Sequence, residues 1–214
     1  MTDVALAVPL LEFAVASVEA DPLAPTPTLN FAVDVTDESD REIYTIALAA
    51  QVQIDGDRRS YDPETRARLH DLFGEPEQIA QTAGAIQIGR VEALVPSFRG
   101  TGRFTLAVPF SGDVELAATR YLASLTSGTV PLTFNFNGSI FYCGEADRLQ
   151  ITLVAWSCDA RFRLSLADWR SLIERRYGAG GFVRVQQDTL DALRKRRTER
   201  GLPTFDAAIQ DALQ

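Results

Sequence analysis

The sequence predicts an α+β protein, an antiparallel β-sheet with a C-terminal helical tail. Three observations carry that reading. Apolar and polar residues alternate with a period of two through Leu29–Val35, Tyr44–Ile54, Val130–Phe136 and Leu149–Phe162, the pattern of strands with one buried face. Short polar stretches at 37–41 and 143–148 separate neighbouring runs, as hairpins require and crossover helices do not. From Ser165 the period becomes helical, placing Leu166, Trp169, Leu172, Ile173 and Tyr177 on one side. The chain thus divides into a sheet domain, residues 1–163, and a helical extension, 164–214, expected to pack on the sheet.

The elements follow in order. Val4–Leu11 is a hydrophobic leader, read as an edge strand, and Glu12–Glu19 is a first short strand. The three prolines of 21–27 make an extended connector, since proline cannot donate to a ladder. Leu29, Phe31, Val33 and Val35 form one buried face. A charged turn at 37–41 leads to a second hairpin arm with Tyr44, Ile46, Leu48, Ala50, Val52 and Ile54 inward. Asp62-Pro63-Glu64 starts a helix over 62–73, with Asp as cap and proline at the first helical position. A short helix is expected at 75–82. Strands at 85–95 and 103–110 join across Gly100-Thr101-Gly102, and 114–125 suits a helix burying Ala118, Tyr121, Leu122 and Leu125.

An aromatic hairpin comes next, turning near Ala146. In the tail, Ser165 and Asp168 resemble a capping box and Gly178 closes the helix. A short strand is expected at 181–185. Asp188 caps a helix that runs to Arg200 and stops at Gly201, and a last helix starts at Thr204.

The 214 residues are 46% hydrophobic and 23% charged, ordinary for a chain able to bury a full core. The net charge of −8 argues against nucleic-acid binding, which needs a basic surface. Charge is uneven: residues 1–60 hold 11 acids and 3 bases, whereas 161–200 hold 11 bases and 5 acids. Solvated faces account for that, although the asymmetry could also steer two copies together head to tail or mark a face for an acidic partner. Met1-Thr2-Asp3 has no positive leader region and Pro9 and Glu12 interrupt the apolar stretch after it. No membrane span and a cytoplasmic location are therefore expected.

Reaction chemistry is hard to place. His70 is the single histidine and sits on a polar helical face. Ser111-Gly112 lacks the nucleophile-elbow context. Two cysteines and one histidine cannot complete a four-ligand zinc site. Hairpin pairs summing to 292 put Cys143 across from Leu149 and Cys158 across from Phe134. That leaves the two sulfurs roughly 30 Å apart, too far for a disulfide. The acids at 37–42 and at Asp55 and Asp57 fall in turns, where solvation explains them. Gly178-Ala179-Gly180-Gly181 follows a helix, whereas phosphate loops precede one. Arg194-Lys195-Arg196-Arg197 suits a helix C-terminus. No catalytic, cofactor or metal residue is assigned, and no cofactor is expected.

The aromatics are the most informative group. Leu149, Ile151 and Leu153 lie on one side of the hairpin, with Val154 and Trp156 on the other. A face left open by the sheet must be covered by the tail, by a second subunit or by another protein. On that reading Trp156, Phe134 and Phe136 are the partner-contact residues.

Val130-Pro-Leu through Gly138, Leu149-Gln-Ile, Trp156, Ala167-Asp-Trp169, Gly180-Gly-Phe-Val-Arg184 and Gly201-Leu-Pro-Thr-Phe-Asp206 resemble a family of uncharacterised actinobacterial-type proteins. That family is encoded near [NiFe]-hydrogenase gene clusters. Phe182 and Phe205 stand where tryptophan is expected, and no active site is carried over. The resemblance implies an accessory or assembly factor that binds a hydrogenase component. A fainter similarity, over residues 11–142, is to SecB export chaperones: strand, proline connector, strand, charged turn, strand, then Val108-Pro-Phe110 and Gly128-Thr-Val-Pro131. It implies a homo-oligomer, a tetramer of SecB-like sheets that binds unfolded chains along apolar grooves. The expectation is a non-catalytic protein-binding factor, with a SecB-like holdase and an enzyme with an unrecognised site as the alternatives.

Overall fold

The computed structural model describes residues 8–39, 41–73, 85–109, 118, 121–144, 147–177 and 185–214. The expected helix at 75–82, most of the strand at 181–185 and the leader at 4–7 lie outside them. Antiparallel strands dominate and helices close the chain, which is the α+β class. The strands are β1 (Leu11–Ala20), β2 (Thr28–Asp37), β3 (Glu42–Ile54), β4 (Ile86–Val95), β5 (Phe98–Arg99), β6 (Thr101–Pro109), β7 (Thr129–Cys143), β8 (Leu149–Leu153) and β9 (Asp159–Ser165). The helices are α1 (Pro63–Phe73), α2 (Leu166–Tyr177), α3 (Gln187–Glu199) and α4 (Phe205–Leu213). Residues 118 and 121–124 are also helical, within the expected 114–125.

The strands form two sheets, where the sequence suggested one. The first has the order β1-β2-β6. The second runs β4-β3-β7-β8, with β9 also on β7 and β5 on β3. Hence β2 and β3 are not two arms of a hairpin: β2 pairs with β1 and β6, and β3 pairs with β4 and β7. Alternation identifies the buried face of a strand and not its neighbour, and here the two buried faces meet across a sandwich. Phe31 contacts Phe134 edge-on at 5.0 Å and Phe162 at 5.8 Å. Phe13 stacks on Phe136 at 4.3 Å.

The crossing between sheets is held by Asp37, which is buried and accepts the N–H groups of Leu10 (3.1 Å) and Ser39 (3.3 Å). Asp37 is thus a structural acid and not a solvated turn residue; unpaired, a buried carboxylate would be costly. A bulge between Ile43 and Thr45 turns Ile43 into the core and Tyr44 outward, reversing the expected side for Tyr44.

Two details shape β7. Its pairing with β8 sums to 292 throughout (Ser139 with Leu153, Cys143 with Leu149), as the sequence predicts. Its pairing with β9 sums to 294 (Phe134 with Ala160), because the turn after Leu153 adds residues. Between the two partners lies Gly138, at φ 151°. A Cβ there would run into the Ala47 carbonyl oxygen. Only glycine lets β7 bend here while staying on β3.

Asp62 caps α1 as expected, accepting the Thr65 N–H (2.8 Å) and hydroxyl (2.7 Å). The Thr65 hydroxyl bond first, then its N–H, hold the Asp62 carboxyl below the usual range. Leu166, Trp169 and Leu172 of α2 are buried, and Arg170 donates to the Leu125 and Thr126 carbonyls at 2.9 Å each. Ser165 accepts the Ala167 N–H (3.2 Å) in place of the expected capping box.

The chain forms two compact units, 1–178 and 179–214. The expected division at 163/164 therefore moves past α2, whose apolar side belongs to the first core. The second unit is the α3–α4 hairpin. Arg196 and Arg200 bind Asp211 at 2.6 and 2.7 Å, and Arg197 lies 4.6 Å over the Phe205 ring. Gly201 at φ 60° ends α3, and Thr204 caps α4 through the Ala207 N–H (3.1 Å). Gln186, not Asp188, occupies the cap position of α3. Much of the basic run thus works inside this hairpin.

Candidate functional site: the outer face of the second sheet

The outer faces of the two sheets differ in chemistry. On the first, Asp34 and Arg103 form a two-pronged ion pair across β2 and β6, at 2.5 and 2.9 Å. Its hydrogen bond to Arg103 holds the Asp34 carboxyl below its usual range. That face is an ordinary solvated sheet surface.

The second sheet is different at the end that carries β8. Leu149, Ile151 and Leu153 point outward, 59%, 60% and 74% exposed, while Gln150 and Thr152 point inward. The Tyr142 hydroxyl donates to the Gln150 side-chain carbonyl at 2.9 Å, which gives that inward amide a partner. An edge strand with aliphatic residues outward inverts the usual pattern, in which edges are blunted by charge. Cross-strand pairing continues the surface: Ile151 sits beside Phe141, and Leu153 beside Ser139.

From Leu153 one row runs through Ser139 and Ala47 to Leu94 on β4. Leu94 is 76% exposed and lies about 14 Å from Leu153, three strand spacings away. Small residues between two leucines leave a trough. Its β3–β4 side is a cleft of about 510 Å³ lined by Ala47, Ala49, Leu94, Glu92 and Gly138. Near the other end of β8, the neighbouring Cys143 side chain first, and desolvation second, push the Tyr44 phenol up to about 12.

The three expected contact residues separate. Trp156 stands in the β8–β9 turn, 96% exposed. Phe134 and Phe136 are 0% and 2% exposed, packed against Phe31 and Phe13, and cannot touch a partner while the sandwich is closed. Val154 is buried although Trp156 is not, because the strand ends at Leu153 and its alternation stops there. Leu149, Ile151 and Leu153 were visible in the sequence as one apolar face. Leu94 was not, since nothing local marks the strand opposite.

Other candidates keep structural roles. His70 is exposed on α1. Cys143 and Cys158 are free thiols; burial pushes the Cys158 thiol up, making it a poor nucleophile. Among the described residues no group of three His, Cys, Asp or Glu could hold a metal. No described helix is long and apolar enough to cross a membrane.

Fold and surface define a two-sheet antiparallel protein with an apolar outer sheet face and a helical-hairpin tail. The chain belongs to DUF6084, a family of unknown function, which it matches over residues 8–214. No curated protein matches it. Among solved structures it is similar to the protein described as ApaA from Bordetella pertussis. That pair is 13% identical over 74% of this chain and 97% of the other, at a TM-score of 0.28. The sporulation control protein Spo0M of Bacillus subtilis is 11% identical over 75% of this chain and 49% of its own, at 0.24. A β-glucosidase from Kluyveromyces marxianus is 12% identical, covering 74% and 16%, at 0.23. Such low scores transfer neither fold nor function.

Proposed function

We propose that this chain is a non-catalytic accessory protein that binds a protein partner through the outer face of its second sheet. The supporting observation is the exposed row Leu149, Ile151 and Leu153 on edge strand β8, with Trp156 three residues beyond. Contiguous exposed apolar surface of this kind marks interaction sites, and the β8 edge, which has no neighbouring strand among the described residues, supplies backbone donors and acceptors for an added strand. The resemblance to proteins encoded beside [NiFe]-hydrogenase clusters makes a hydrogenase component the partner to try first. The SecB-like similarity supplies the other reading, a holdase for unfolded chains, since the same edge and trough suit an extended peptide.

The test is recovery of cross-linked partners on the tagged full chain, compared with Ile151→Asp. A defined partner, recovered with the wild type and lost with Ile151→Asp at an unchanged melting temperature, is the expected result. Equal recovery with both chains refutes this surface. Many unrelated unfolded chains, together with suppressed aggregation of a denatured client, would favour the holdase.

A further inference from the structure

A different part of the second sheet carries a cationic pocket. At the end of β3, Asp55 is buried and accepts the Thr133 hydroxyl at 2.5 Å and the Gln53 amide at 3.4 Å. Arg58, from the single 3-10 turn Gly56–Arg58, approaches the same carboxylate at 3.7 Å. On β9, Arg161 lies opposite Thr133 and Arg163 opposite Pro131. These two arginines, two residues apart, share the outward face, their Cα atoms about 7 Å apart.

Asp55, Arg58, Pro131, Arg161, Phe162 and Arg163 line an open cleft of about 320 Å³. Three arginines therefore line one cleft with a single carboxylate that is already supplied with donors. Among the described residues Arg161 reaches only Asp159, at 3.8 Å, too long for a hydrogen bond. Arg163 makes no hydrogen bond or ion pair among the described residues. Two like charges carried two residues apart on one strand face raise the local positive potential, which an entering anion relieves.

We propose that this pocket binds a phosphomonoester dianion, with Arg58, Arg161 and Arg163 each donating to its oxygens. Guanidinium forks arriving from two elements, a turn and a strand, suit the three terminal oxygens of a tetrahedral phosphate. A planar carboxylate is saturated by one or two such forks. The site lies on β9 and the turn after β3, away from β8, so it stands or falls independently of the partner surface.

The experiment is isothermal titration of the full chain with inorganic phosphate, and separately with glutarate, at constant ionic strength. It is repeated with Arg161→Gln and Arg163→Gln. Expected are saturable phosphate binding, a loss of at least about tenfold in affinity with each variant, and unchanged melting temperatures of the ligand-free proteins. Absence of saturable phosphate binding up to about 10 mM would overturn the proposal and leave the arginines as guards of a strand edge. Phosphate binding unaltered in both variants would overturn it too, as would glutarate binding more tightly than phosphate.

Discussion

Phe134→Ala and Trp156→Ala, made separately, should have opposite consequences for two aromatics only 22 positions apart. Phe134 is fully buried, edge-on to Phe31 and stacked at 6.4 Å on Phe136. Its truncation removes a ring from between the sheets, and the β7–β3 and β7–β9 ladders on either side resist collapse around the space. Core phenylalanine deletions of this type cost about 3–5 kcal/mol, a large share of the roughly 5–15 kcal/mol that stabilises a typical domain. At about 2–4 °C per kcal/mol for a unit of this size, the melting temperature should fall by roughly 6–20 °C. Trp156 is almost wholly in water and its removal should stay within about 0.5 kcal/mol, under about 2 °C. Calorimetric melts checked against urea titrations provide the assay. Against a bound partner the order should reverse, the tryptophan acting as a binding hot spot worth about 2 kcal/mol or more. A Trp156→Ala protein melting ten or so degrees lower, or a Phe134→Ala protein melting like the wild type, would show that the hairpin faces are assigned the wrong way round.

Gly138→Ala should destabilise by roughly 3 kcal/mol, since the new Cβ meets the Ala47 carbonyl in a backbone conformation that L-residues avoid; a melt within a degree or two of wild type would refute the bend at that position. The Tyr61 and Tyr121 hydroxyls bond one another at 2.8 Å, and burial pushes both phenols above the ordinary value of 10.0. The folded state therefore holds these protons more tightly than the unfolded chain. Their contribution is complete below pH 10 and is lost as pH rises toward the folded values. Melting temperature followed upward from pH 8 should fall beyond about pH 10, more steeply than in the Tyr61→Phe, Tyr121→Phe double variant; equal pH dependence in the two proteins would refute it.

Much of the first unit was legible in local pattern. The strands, the Asp62 cap and the β7–β8 register depend on neighbouring residues, and each is recorded by spacing. The candidate surface was legible in part: Leu149, Ile151 and Leu153 announce a shared apolar face, and Trp156 sits close in sequence. Phe134 and Phe136 show the same alternation as β8 and were indistinguishable from it as surface or core. Both runs bear apolar residues on one side, and only what lies opposite decides the matter.

Sequence alone therefore determined where the backbone extends or coils, because those preferences are set by side chains within a few positions of one another. Tertiary structure decided which strands are neighbours. Asp37 carries the chain from one sheet to the other, Gly138 hands β7 from β9 to β8, and Trp169 draws α2 into the first unit. Each of these rests on contacts between distant residues, and burial is a property of the pair of surfaces that meet.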